Sequence, residues 1–163
     1  MFRNKRSLPP IEALAAYKND RVILNFLKKY SMERTQAEEV FKETLKWLWL
    51  CRSHDRREKV TQDTPETLSI YYPMRLVDEM WHSFILCTLD YQEFCEKYLG
   101  GFIHHEPNVE PPDALRALPR RNENQNLERE QTVRYICRKL GPETIRKWFV
   151  EYDAWTGELN AAR

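Results

Sequence analysis

The chain repeats apolar residues every three to four positions along most of its length, and only four glycines occur in 163 residues. That period belongs to amphipathic helices, and the shortage of glycine disfavours a β-rich fold with many tight turns. Between Ile11 and Tyr30, the residues Ile11, Leu14 and Ala15 recur at helix spacing, as do Val22, Ile23, Phe26, Leu27 and Tyr30. Asn19-Asp20 offers a break between two helices, with Asp20 as the cap of the second. The stretch "TQAE", Thr35 to Glu38, fits a capping box. The helix after it carries Ala37, Val40, Phe41, Leu45, Leu48 and Cys51 on one side. Trp47, Trp49 and Leu50 widen that stripe nearly all round, as a central helix requires. The stretch "RSHDRREK" then reads as a solvated charged turn.

Residues 60–73 break the helical period, and Pro65 and Pro73 bound a short extended piece, Leu68 to Tyr72. A helix over about Arg75 to Leu86 follows, with Leu76, Val77, Met80, Trp81, Phe84 and Ile85 as its apolar members. Thr88 is a candidate cap for the next helix, which runs through Leu99 and stops at Gly100-Gly101. Residues 106–126, rich in Pro, Asn and charge, read as a long irregular connection. Helical spacing returns with Val133, Ile136, Cys137 and Leu140. Gly141 and Pro142 mark a stop and a restart, and a last helix carries Ile145, Trp148 and Phe149. The expected fold is all-α: a single compact domain of about five to seven helices over residues 11–156, with one short extended segment near 68–72. A flexible arm (1–10) and a flexible tail (157–163) flank it, with Trp155 as an anchor for the tail. The length suits one domain that buries a core without staples.

Charge narrows the function classes. Lys and Arg total 26, Asp and Glu 25, so the net charge is +1, which supplies no global attraction to nucleic acid or anionic membrane. The basic patches "RNKR", "CRSHDRREK" and "RALPRR", and the amphipathic "RYICRKLGPETIRKW", are matched by acidic residues elsewhere and read as solvated helix faces. The basic C-terminal helices are also a candidate docking face for a protein partner. No run approaches the ~18 apolar residues of a membrane span. The basic start "MFRNKRSLPP" has no apolar h-region after it. Cys51, Cys87, Cys95 and Cys137 are widely spaced and form no CxxC, so they read as reduced thiols and the expected location is cytoplasmic.

Chemistry-bearing residues concentrate in "DEMWHSFILCTLDYQEFCEKYLGGFIHH", Asp78 to His105, which holds three of the four histidines and two of the four cysteines. Asp78 and His82 are four apart and share a helix face, so the carboxylate can orient the imidazole or both can reach one metal. Tyr91 and Cys95 repeat that spacing on the next helix. His104 and His105 follow the Gly-Gly turn, which can fold them back. By ligand type, Asp78, His82, Cys95 and His105 suit zinc or iron. The competing reading is a core histidine hydrogen-bonded to a carboxylate or carbonyl. Cys51, Cys87 and Cys137 read as small apolar residues, and Trp47, Trp49 and Trp81 as core. A nucleophilic Cys95 with His82 or His105 as base is the enzyme alternative, but no local cysteine-enzyme signature, phosphate loop, HExxH or GxSxG occurs.

The run "VDEMWHSFILCTLDYQEFCEKYLGGFIHHEP" resembles the signature of the glycine-rich domain-containing protein-like family, found in plants and bacteria, whose function is not established. That pattern is an acidic residue, Trp-His, a Tyr, a Cys, and a His before Pro, here Asp78, Trp81, His82, Tyr91, Cys95, His105 and Pro107. Some members have a second His two places after the first; Phe84 stands there in this chain, so no His-x-His pair is available. The glycine-rich region is absent too, so the resemblance is to the bacterial-type core module and covers about a fifth of the chain. It implies that Asp78, Trp81, His82, Tyr91, Cys95 and His105 form one spatial constellation, and it names no reaction. The expectation is a small binding or interaction module with a polar, metal-capable site.

Overall fold

The computed structural model describes residues 8–56, 64–106 and 123–161, and every regular element in them is helical. Helix α1 (Asp20–Leu27) starts where the Asn19 side chain accepts a hydrogen bond from the Val22 amide at 3.2 Å. The cap is therefore Asn19 and not Asp20, because Asn19 holds the extended conformation that brings its short side chain to the third helical amide. Before it, Ile11–Leu14 form a 3₁₀ turn whose Leu14 reaches the core.

Helix α2 (Arg34–Asp55) has 22 residues and spans about 33 Å. Its start lies upstream of the expected Thr35–Glu38 box: Gln36 Oε1 accepts the Glu33 amide at 3.1 Å. Val40, Phe41, Leu45, Trp47, Leu48 and Leu50 are all buried, so the apolar surface wraps most of the helix, and α1, α3 and α5 pack around it. Trp49 donates its indole N–H to the Pro9 carbonyl at 2.8 Å, and Leu8 packs against the core. Residues 8–10, read from the sequence as the end of a flexible arm, thus lie along the domain; 1–7 fall outside the described residues.

The end of α2 corrects a second expectation. His54 is buried, with Nε2 2.8 Å from the Pro65 carbonyl and its ring edge-on to Tyr135. Arg52 and Arg56 reach across to carbonyls of residues 99–102. Residues 52–56 are therefore a packed helix end and not a solvated turn, because α2 continues to Asp55 and keeps turning polar side chains inward. Residues 57–63 lie outside the described residues.

Leu68, Ile70 and Tyr71 pack on the core, and Tyr71 is extended, but no strand forms among the described residues because no neighbouring edge is there to pair with. A 3₁₀ turn (Tyr72–Met74) then feeds α3 (Arg75–Leu86). Helix α4 (Thr88–Phe94) has the expected cap, Thr88, as its first helical residue; Cys87 stands in the cap place instead and makes no side-chain bond there. It continues into a π turn (Cys95–Leu99), which Gly100 stops at φ 69° while the Gly101 amide returns to the Cys95 carbonyl at 3.1 Å. Of the expected irregular connection, 107–122 lie outside the described residues, and α5 (Glu123–Leu140) has begun by 123. Gly141, at φ 87°, ends it and Pro142 opens α6 (Pro142–Arg146). A π turn (Lys147–Glu151) joins α6 to α7 (Tyr152–Ala161). Residues 157–161, read from the sequence as tail, are turns of α7, and Leu159 packs against the core.

The π turns make α4 and its extension one rod, and α6 and α7 another, so the described residues form an all-α domain of six rods. α7 packs on α3 and on the turn before it, bringing the C-terminal rod back to the middle of the chain. Inside, Trp47 meets Trp148 edge-on at 6.0 Å. No helix among the described residues is long and apolar enough to cross a membrane.

Candidate metal centre

Helix α3 buries Leu76, Val77, Met80, Trp81 and Phe84. At 3.6 residues per turn this leaves Asp78, Glu79 and His82 toward solvent, with 28, 22 and 40% of their side chains exposed. After the π turn, residues 101–106 cross back over α3 and deliver His105. Its ring packs on Trp81 at 4.3 Å between centroids and lies 4.5 Å from the His82 ring. His105 Nε2 is 2.9 Å from Asp78 Oδ1; the carboxylate acceptor assigns the proton to Nε2. His82 Nδ1 lies 4.0 Å from both Asp78 Oδ2 and Glu79 Oε2. One donor atom each from Asp78, His82 and His105 fall within 4.8 Å of one another.

Trp81, Tyr91 and Cys95 form a second, buried layer. The Trp81 indole N–H donates to the Tyr91 hydroxyl at 3.0 Å, and that hydroxyl donates to the Ile103 carbonyl at 2.8 Å. Cys95 is fully buried, its sulfur facing the Ile103 amide and the Tyr91 hydroxyl. Burial pushes the Cys95 thiol up, and burial followed by the neighbouring Cys95 pushes the Tyr91 phenol up. Both stay neutral near pH 7, the opposite of an activated thiolate. Cys95 is not among the three converging donors. It sits on the core side of the α4 rod, whereas Asp78 and His82 occupy the outer side of α3.

The structure thus brings Asp78, His82 and His105 together and sets Trp81, Tyr91 and Cys95 behind them. His104 is exposed, meets Phe102 edge-on at 5.0 Å, and is not among the converging donors. Pro107 lies outside the described residues. Sequence reasoning missed Glu79, which follows Asp78 on the same turn, and Arg52 and Arg56, whose i, i+4 spacing at a helix end was the available signal.

A bound tetrahedral ion with 2.0–2.2 Å bonds holds its donors about 3.4 Å apart. The trio therefore reaches that geometry by closing its widest gap by no more than about 1.4 Å and by exchanging the direct Asp78–His105 hydrogen bond for the ion, within the range of side-chain torsions on a partly exposed face. The donor set of two imidazoles and a carboxylate fits zinc or iron and leaves coordination positions open.

A search of curated proteins and a search of solved structures found no match. A family model described as UCP032817-like matches residues 12–147, a span running from the first 3₁₀ turn into the last rod and including Asp78, His82 and His105. The chain belongs to the UCP032817-like family.

Proposed function

We propose that the protein is a small cytosolic binding module whose working site is a divalent-metal centre of Asp78, His82 and His105, with zinc or iron as the fitting ion. The observation that carries this reading is the convergence of those three donors at one half-exposed place, although they come from a helix and a distant loop. Three protein donors leave room for water or a ligand, unlike a closed structural site with four. The four cysteines are free, consistent with a reducing compartment. The resemblance to the glycine-rich domain-containing protein-like core module belongs to the same reading, since its Asp, His and downstream His are these three residues.

Other classes draw less support. A thiol enzyme using His82 and Cys95 would need an accessible, activated sulfur, and Cys95 is fully buried with its thiol pushed up. Nucleic-acid binding would need free basic faces, yet Arg134 pairs with Glu130, and Arg146 with Glu143 and Glu151. The same exposed pairs suit a protein partner on the C-terminal helices better than a polyanion.

One observation favours a purely structural network instead: the direct Asp78–His105 hydrogen bond at 2.9 Å. The two readings separate experimentally. A metal centre predicts zinc or iron in purified protein by elemental analysis, affinity that falls on acidification because the donors must be deprotonated, and loss of the metal in His82→Ala with little change in helix content. A structural network predicts no metal, identical melting with and without chelator, a near-silent His82→Ala, and a cost of about 1–3 kcal/mol for His105→Ala. Metal-free protein that also fails to bind added Zn²⁺ or Fe²⁺ would overturn the metal reading.

A further inference from the structure

The loop that delivers His105 has almost nothing of its own to hold it. Among the described residues, 102–106 form no regular element and make no backbone–backbone hydrogen bond. Side chains from two other helices take its carbonyls instead. Arg56 Nη2 donates to the Leu99 carbonyl at 2.9 Å. Arg52 Nη2 donates to those of Gly101 and, at 2.9 Å, Phe102. Tyr91 takes Ile103 at 2.8 Å, two residues before His105, and is itself fixed by the Trp81 indole. The glycines belong to this arrangement. A Cβ on Gly100 would lie 2.7 Å from Arg56 Nη2, and one on Gly101 would lie 3.3 Å from Arg52 Nη2. Gly100-Gly101 therefore ends a helix and also clears space for two guanidinium groups.

We infer that Arg52 and Tyr91 are positioning residues for His105: by binding the consecutive carbonyls of residues 101–103 they set where its imidazole meets Asp78 and His82. The inference rests on the metal reading for its consequence but not for its geometry. Neither residue touches the trio. Each acts through the backbone, as outer partners of metal ligands do when they fix ligand orientation. The division of labour also accounts for the composition of the Asp78–His105 stretch. Asp78, His82 and His105 are the donors, and Trp81 and Tyr91 hold the loop that carries the third.

The test compares wild type, Tyr91→Phe and Arg52→Lys with Ile136→Val, a buried α5 substitution outside the clamp. Two quantities are read: Zn²⁺ affinity by calorimetric titration, and the positions of the His105 ring signals in metal-free protein by NMR. Tyr91→Phe should weaken Zn²⁺ binding about 10–100-fold, the range for lost outer partners, and should move the His105 ring signals in the direction that Asp78→Asn moves them. Arg52→Lys, which keeps the charge but ends one bond short of the position from which Nη2 reaches both carbonyls, should act in the same sense, and it carries the test if Tyr91→Phe does not fold. Ile136→Val should leave both quantities at wild-type values even where it lowers the melting temperature as much. Wild type that binds no Zn²⁺, with His105 signals still displaced in the variants, would remove the metal reading and leave the positioning role standing. Unchanged His105 signals in both variants would overturn the positioning role, whatever the metal result.

Discussion

Glu43 sits at the centre of the packing between α2 and the C-terminal rod, and the structure says what removing it should cost. It is only 4% exposed. One carboxylate oxygen accepts the Trp148 indole N–H at 2.8 Å, and the other accepts Lys46 Nζ at 2.6 Å. Donors at this junction are in excess: the Tyr152 hydroxyl, which feels the Glu43 charge, and Trp47 Nε1, whose ring meets Trp148, are buried with no hydrogen-bond partner among the described residues. Glu43→Ala would strand the Trp148 N–H in the core, at about 1–3 kcal/mol. It would also remove one buried methylene, at about 0.8 kcal/mol. The expected loss is about 2–4 kcal/mol by urea denaturation, or roughly 10 °C in Tm for a chain of this size. Glu43→Gln keeps an oxygen for the indole and loses only the pair with Lys46, whose side chain is 38% exposed; that pair is worth at most about 1 kcal/mol. The two variants should therefore differ by about 1–3 kcal/mol. Equal destabilisation by Gln and Ala would show that the charge, and not the hydrogen bond to the indole, holds this junction. A nearly silent Glu43→Ala would show that the N–H finds another acceptor.

Three further outcomes are expected. Tyr152→Phe removes a buried hydroxyl with no partner among the described residues and should stabilise by about 1 kcal/mol; a loss of stability in equilibrium unfolding would reveal a partner for it. Stability should hold flat toward neutral pH and fall under alkaline conditions. Burial raises the Cys95 thiol and the Tyr91 and Tyr152 phenols in the fold, so the unfolded chain ionises first, from about pH 8.5 for the thiol and 10 for the phenols. Tyr152→Phe should shallow the upper part of that decline in Tm measured against pH, and a Tm that rises above pH 9 would contradict the sign. Gly157→Ala, in a helix with open space around it, should stabilise by up to about 1 kcal/mol. Gly100→Ala should cost about 1–2 kcal/mol from the left-handed backbone alone and more from displacing Arg56; thermal melts that rank the two the other way would refute the clamp at Gly100.

The register of α3 shows how much of the site is legible in the sequence alone. Asp78 and His82 share a face because they are four apart, and Leu76, Val77, Met80, Trp81 and Phe84 are buried because the apolar period places them together. The stop at Gly100 and the restart at Gly141-Pro142 were legible for the same local reason. Helix starts were less so. Asn19 replaced Asp20, and Glu33 with Gln36 replaced the box at Thr35, because several neighbouring polar residues can cap and the surrounding packing selects one.

What the sequence determined by itself is therefore what depends on near neighbours along the chain: helices, their buried faces, the all-α class, and the stretch in which the site lies. What only the tertiary structure decided depends on contacts between residues far apart in sequence. Asp78 takes His105 as its hydrogen-bond partner in place of His82, 27 positions away instead of four. Cys95 turns into the core behind Tyr91, while three other donors meet on the outside. Arg52 and Arg56, which look like solvated charges in a basic run, reach more than 40 residues along the chain to hold the His105 loop. Periodicity specifies the face on which a side chain stands. Which residue meets it there is settled by how α3, the α4 rod and the end of α2 pack, and no local pattern encodes that.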